Sequence, residues 1–414
     1  MENKRNPKLC GVLDCAGCAA CANACPKDAI AMTSMMDGFP QPVVDKERCV
    51  QCLACEHACP VLTTLPNENR KEPITYACWN KDKKIRKESS SGGAFSALAT
   101  AILEEGGYVV GAVYGERMSV HHRMIHSLEE LPLLRGSKYV QSDVGNIYRQ
   151  VKLKLQEGAK VLFVGTPCQV AGLRGYLKRD APNLYCCDFI CHGTPSPLLF
   201  QKYIQWIERE KRLKVSSFNF RDKHSGWYDA LRAVNGNVYM KGKYDAYFYG
   251  FNLNITLRES CYHCSAIGLP RKGDITIADY WGIGKVYRFA EPNEIPKGVS
   301  LLMANNPKGD KLFEKAKTYL YWQEGTFDEA LRGNLPMVTP PYRPDARDTF
   351  YEDMTMMGFE QLRQKYFHMS IKARMVAWLR ENAPRGCVVM LRKLLQYITW
   401  KRNGSKILQK SFES

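Results

Sequence analysis

The chain has 414 residues, 45% apolar and 24% charged, which excludes a disordered or low-complexity protein and allows two or three packed domains. The formal charge of +17 admits nucleic acid, anionic lipid or an acidic protein as partner. No zinc-finger, helix-turn-helix or RNA-binding aromatic pattern accompanies it, so nucleic acid is not expected. No run reaches the roughly eighteen apolar residues of a membrane span, and Met1 to Pro7 contains no apolar signal segment. With 17 cysteines the expected compartment is reducing and cytoplasmic.

The first organised stretch is Cys15-x2-Cys18-x2-Cys21-x3-Cys25-Pro26, and the same spacing returns as Cys49-x2-Cys52-x2-Cys55-x3-Cys59-Pro60. A thiolate every third residue on a tight loop grips one face of an iron–sulfur cube, and the fourth cysteine of such a run reaches across to the other cluster. Cys15, Cys18, Cys21 and Cys59 are therefore expected to hold one [4Fe–4S] cluster, and Cys49, Cys52, Cys55 and Cys25 a second. Zinc would call for two ligand pairs around a longer spacer, and a disulfide framework for a secreted chain. The stretch resembles the bacterial two-cluster ferredoxin domain.

Between the runs, Ala29–Met32 and Pro42–Asp45 read as short strands around Asp37-Gly38, and Pro66 to Pro73 reads as a polar linker. The pattern then alternates. Strands are expected at Ile74–Trp79, Tyr108–Tyr114, Lys160–Val164, Leu184–Ile190 and Gly273–Ala278, with helices at Ala94–Glu105, Ser142–Glu157 and Pro197–Arg212. Asn235-Gly236 marks a hairpin. The expected fold is a ferredoxin-like domain over residues 1–66 followed by a mixed α/β, α+β body. The body divides into 74–155 and 156–340, and a helical basic tail over 341–414 is read first as packing its apolar stripe on the body with lysines outward, the alternatives being an acidic partner or, peripherally, a membrane.

Chemistry-bearing residues cluster at strand ends in the body. Ser89 to Gly93 places serines and paired glycines at a helix start, a plausible anion loop. Gly165-Thr166-Pro167-Cys168-Gln169 and Cys191-His192-Gly193 follow apolar strands, where α/β folds gather their sites. With Cys261-x2-Cys264 they supply four thiols, enough for a third [4Fe–4S] cluster or for a structural zinc. Strand alternation makes Cys187 a credible substitute. His121, His122 and His126 have no ligand spacing, and His57 reads as solvent-facing. Cys10, Cys78 and Cys387 are left unliganded, Cys10 being near enough to serve as an alternative ligand.

Ser90-Ser91-Gly92-Gly93, Gly136-Ser137-Lys138-Tyr139-Val140-Gln141-Ser142, Gly165 to Gln169, Cys191-His192-Gly193, Cys261-x2-Cys264 and Gly273 to Gly282 occur in that order. Together they resemble the beta-subunit family of coenzyme F420-reducing hydrogenases and dehydrogenases. The resemblance implies FAD, a [4Fe–4S] cluster in the body, and hydride exchange with a deazaflavin or another organic acceptor. It places Ser90, Ser91, Gly92, Gly93, Gly165 and Thr166 at the flavin, Lys138 and Gln141 near its ring, and Asp279 and Trp281 at the pocket wall. Lys138 and Asp279 would then be the catalytic residues. The reading is an iron–sulfur flavoprotein oxidoreductase that exchanges single electrons with a ferredoxin or sister subunit. The alternatives are an electron-transfer subunit without its own substrate site and a non-catalytic iron–sulfur protein on nucleic acid.

Overall fold

Two short helices, α1 (Ala20–Ala24) and α2 (Ala54–Ala58), sit at equivalent positions of the duplicated cysteine runs. Each follows two residues in left-handed conformation: Gly17 and Ala19 in the first repeat, Gln51 and Leu53 in the second. This φ > 0 geometry costs a non-glycine residue about 1–2 kcal/mol, and the tight cysteine loop imposes it in both copies. Between them β1 (Ile30–Ser34) pairs antiparallel with β2 (Pro40–Val44), the expected hairpin. The computed structural model describes residues 5–64, 66–228, 231–240, 245–286 and 288–367.

The body is a sheet in the order β13-β3-β12-β11-β7-β6-β4-β5. Its strands are β3 (Ile74–Asn80), β4 (Tyr108–Tyr114), β5 (Val120–Ile125), β6 (Val161–Gly165), β7 (Leu184–Phe189), β11 (Ile275–Asp279), β12 (Ser300–Ala304) and β13 (Leu320–Glu324). A hairpin layer, β8 (Phe218–Asp222), β9 (Leu231–Val234) and β10 (Val238–Met240), turns at Asn235 and Gly236, both at φ > 0. The centre β11-β7-β6-β4 is parallel, and the flanking pairs are antiparallel. Central strands covered on both faces carry side chains that are apolar on both faces, as Val161, Leu162 and Phe163 do.

Alternation along the strands divides the core into two layers. Leu162, Tyr185 and Cys187 face a layer built on α4 (Ala94–Leu103) and α10 (Pro307–Ala316), after α3 (Lys83–Glu88). Val161, Phe163, Leu184 and Cys186 face α6 (Ile147–Gln156) and α7 (Pro167–Leu177), which follow α5 (Leu131–Leu134). Ala19, Ala20 and Ala58 of the ferredoxin lobe belong to that second layer. The lobe thus completes the core of the body. Close contact requires glycine: a Cβ at Gly175 would lie 2.3 Å from the Ala58 carbonyl oxygen, and one at Gly172 would lie 2.9 Å from Cys18 Sγ.

The polar stretch expected to be a linker is fastened along its length. Asn67 and Asn69 donate to the carbonyls of Pro270, Arg271 and Gly273, and Arg70 makes a two-pronged pair with Asp310. Its polarity satisfies loop backbone in the body. Contacts divide the chain into two compact units, Met1–Tyr366 and Phe367–Ser414. The first also contains α8 (Pro197–Lys211), α9 (Ala246–Asn252), α11 (Phe327–Gly333), α12 (Arg347–Met356) and α13 (Phe359–Tyr366). The last two fall in the stretch 341–414 expected as a helical tail but belong to the first unit, and the expectations for 368–414, Cys387 among them, fall outside the described residues. Among the described residues no helix is long and apolar enough to cross a membrane.

Candidate redox site

The thiols of the two cysteine runs lie close to one another. Burial pushes the Cys21 thiol up to about 12, with Cys15, Cys59 and Cys55 among the neighbouring charges. Burial raises Cys55 as well, with Cys25 and Cys52 among its neighbours. Backbone N–H groups are directed at the sulfurs, Gly17 to Cys15 at 3.4 Å and Ala29 to Cys25 at 3.2 Å. Donors aimed at sulfur favour its anionic, metal-bound form, and this donor set fits [4Fe–4S] clusters. Cys52 is exposed, whereas Cys15 is buried. Cys10 stands beside Cys59, and His57 is exposed.

The four body thiols also converge. Burial and then Cys264 and Cys261 push Cys168 up to about 12, and burial with Cys261, Cys168 and Cys264 raises Cys191. Three segments are hydrogen-bonded to bring this about: Arg258 N–H donates to Thr194 O, Gln141 N–H to Pro195 O, and Cys261 N–H to Arg258 O. Cys168 lies in the first turn of α7, whose start Thr166 and Gln169 fix by a reciprocal capping box. Thr166 Oγ1 is 3.1 Å from Cys168 Sγ. Cys187 is not part of this group. It is fully buried in the opposite layer, and the alternation that would align it with Cys191 ends with β7 at Phe189. Cys78 is also buried in that layer. The two cysteine regions adjoin, since α7, which carries Cys168, passes so close to Cys18 that a Cβ at Gly172 would lie 2.9 Å from its Sγ. Among the described residues no three His, Cys, Asp or Glu side chains converge at single-ion spacing.

A second cluster of polar and aromatic groups occupies the same sheet edge. Asp279 ends β11 and pairs across the ladder with Ser300, which pairs with Cys78. Ser300 Oγ accepts the Gly92 N–H at 2.9 Å, which seats the serine–glycine loop on the sheet. A Cβ at Gly92 would lie 2.4 Å from the Cys78 carbonyl oxygen, so this glycine serves packing. Gly93, at φ 93°, starts α4. Arg221 Nη1 donates to Asp279 Oδ2 at 3.0 Å, and Trp227 Nε1 donates to Oδ1 at 2.8 Å. Trp227 and Trp281 stack at 4.6 Å and 6°. Arg221 Nη2 is buried and has no hydrogen-bond partner among the described residues. Lys223 Nζ donates to Ser91 O at 2.6 Å, and burial, followed by the Arg86 charge, pushes it down to about 7.

The remaining expected residues have identifiable positions. Lys138 is at this edge, since the Ser137 N–H donates to Ser90 Oγ at 2.8 Å. Its ammonium donates to the carbonyls of Leu133, Leu134 and Arg135 at the end of α5, and burial lowers it to about 7. All three of its donors are used. Gln141 joins the lobe to the body, donating to Ala16 O and accepting from Arg258. In the Gly273–Gly282 motif, Asp274 accepts the Cys186 N–H and Arg174, so half the motif builds the fold and half lines the edge. Sequence reasoning missed Arg221, Lys223, Trp227 and Arg258, whose partners lie on distant segments.

A duplicated cysteine run docked on α7 of a mixed α/β body defines an iron–sulfur electron-transfer protein. Family models carry the assignment further. Residues 75–148 match the N-terminal model and 158–330 the C-terminal model of the coenzyme F420 hydrogenase/dehydrogenase beta subunit, together well over half of the chain, and residues 14–62 match a 4Fe-4S dicluster domain. The chain belongs to that beta-subunit family. Among solved structures it is similar to a chain of the xenon-derivatised F420-reducing [NiFe] hydrogenase complex from Methanosarcina barkeri. The two are 16% identical over 73% of this chain and 94% of that one, with a TM-score of 0.44. The search of curated proteins gives no match.

Proposed function

We propose that the protein is an iron–sulfur flavoprotein oxidoreductase that trades single electrons with a partner at the ferredoxin lobe and exchanges a hydride equivalent with an organic acceptor at the sheet edge. The observation that carries this reading is that Cys168, Cys191, Cys261 and Cys264 stand near one another, on loops tied together by the Arg258–Thr194, Gln141–Pro195 and Cys261–Arg258 backbone bonds. Cys15, Cys18, Cys21 and Cys59 would hold one [4Fe–4S] cluster, Cys25, Cys49, Cys52 and Cys55 a second, and the four body thiols a third. FAD, when bound, supplies the conversion between one-electron and two-electron chemistry that clusters lack.

The residues at the edge suit that cofactor. Arg221 Nη2, without a hydrogen-bond partner among the described residues, suits an oxygen acceptor, and the paired indoles of Trp227 and Trp281 offer a flat apolar wall. Arg221 and Trp227 each donate to one oxygen of the Asp279 carboxylate, so it keeps a constant orientation toward whatever binds there. Ser90 to Gly93 would approach the flavin or its phosphates, with Lys138, Gly165 and Thr166 behind them. A deazaflavin or an analogue is the acceptor the family description favours. The reducing cytoplasm suits the thiols.

A second reading makes the chain an electron-transfer subunit within a larger complex, favoured by the exposed Val12, Leu13, Met36 and Leu62 on the ferredoxin lobe. The deciding experiment is anaerobic purification with iron, sulfide and flavin measured per chain. About twelve irons and one FAD are expected. About eight irons with one zinc would remove the third cluster, and no flavin after reconstitution would remove the enzyme. Turnover by the isolated chain with a screened acceptor separates the first reading from the second.

A further inference from the structure

Arg258 is a buried guanidinium, 2% exposed, that joins the lobe to the body. Its Nε donates to the Cys15 carbonyl at 2.6 Å, Nη1 to Gln141 Oε1 at 3.0 Å and Nη2 to the Pro40 carbonyl at 3.0 Å. The Phe39 ring lies 5.3 Å away. All these acceptors are neutral, and no acidic side chain pairs with Arg258 among the described residues. A buried cation without negative charge nearby is strongly unfavourable. The groups able to supply that charge are sulfurs: the guanidinium is bonded to the Cys15 carbonyl, and the Arg258 backbone accepts the Cys261 N–H at 3.0 Å, so the residue stands at both thiol sets. The chain makes room for it, since a Cβ at Gly17 would lie 2.8 Å from Arg258 Nη1 and 2.5 Å from Gln141 Nε2.

We propose that Arg258 is the shared counter-cation of the first ferredoxin thiol set and the body set, a positioning residue that holds the two together and raises the reduction potential of the iron–sulfur groups they carry. Reduction adds one negative charge to a cluster, and a fixed cation in a low-dielectric contact stabilises the more negative state. Three acceptors in divergent directions match the planar fork of arginine better than an ammonium. The inference rests on the reading that the body thiols bind a cluster.

Metal analysis and EPR-monitored redox titration of the full-length wild type, Arg258→Lys and Arg258→Gln test it. About twelve irons in the wild type is the starting requirement, and about eight fails the cluster reading itself. With iron retained, Arg258→Gln is expected to lower the midpoint potentials of two signals while the third stays fixed, and Arg258→Lys to keep most of the wild-type values. Unshifted midpoints in an iron-replete Arg258→Gln, or equal shifts in both variants, overturn the proposal. Should Arg258→Gln lose its iron, the fully reduced wild type decides. Magnetic interaction between the two sets is expected there, and its absence overturns the proposal without any variant.

Discussion

His122 on β5 has an imidazole stacked 5.5 Å from Phe163 and hydrogen-bonded to Ser142 Oγ at 3.1 Å. Burial depresses it from 6.5 to about 4. The unfolded chain takes up a proton that the folded one refuses until the lower value, so stability falls as pH drops through that window, by about 3 kcal/mol in full. Denaturant titrations between those pH values are expected to show this slope in the wild type and a flatter one in His122→Gln. An unchanged slope would mean that another group is responsible. Arg271 and Asp188 are both fully buried and paired at 3.2 Å, and Asp188 also accepts Thr276 Oγ1 and the Gly273 N–H. Arg271→Met leaves that carboxylate half-satisfied in the core and is expected to cost about 3–5 kcal/mol in urea unfolding. A loss below about 1 kcal/mol would place the pair among surface-like bridges.

At the scale of elements, α7 is pressed against α2 with no space to spare. Gly175→Ala puts a methyl group against the Ala58 carbonyl and is expected to destabilise the protein by about 1–3 kcal/mol, read as a lower urea midpoint. An unaltered midpoint would show that the lobe is held elsewhere. The elements legible in the sequence were those whose signal is local. The run Val161–Val164 specifies β6 and Asn235-Gly236 the β9–β10 turn, whereas the cysteine runs were read as tight loops and the short helices α1 and α2 within them were not foreseen. The strand β12 was not read, although Ser300 to Ala304 are all buried, because a short apolar run carries no direction and antiparallel insertion beside β11 is a tertiary outcome. The same holds for the site. The four body cysteines could be grouped from motif order, whereas Arg258 lies 243 residues from Cys15 and 218 from Pro40 along the chain. Nothing in a sequence window marks such a residue as different from a surface arginine.

At the scale of the molecule, the lobe contributes core residues to the body, and its connection is fastened by Asn67, Asn69 and Arg70. Hydrogen exchange is expected to show the lobe and the sheet opening together as one unit, with residues 66–73 protected rather than exchanging like a tether. Separate opening of the lobe would contradict the shared core. The fastening has a kinetic consequence. A tethered carrier domain swings between donor and acceptor, and its rate falls as the solvent thickens. Here the thiol sets are held at a fixed separation, so electron passage inside the chain is expected to be indifferent to viscosity. The diffusive step then lies entirely with the external partner, whose arrival makes the observed rate rise with partner concentration and fall with added glycerol.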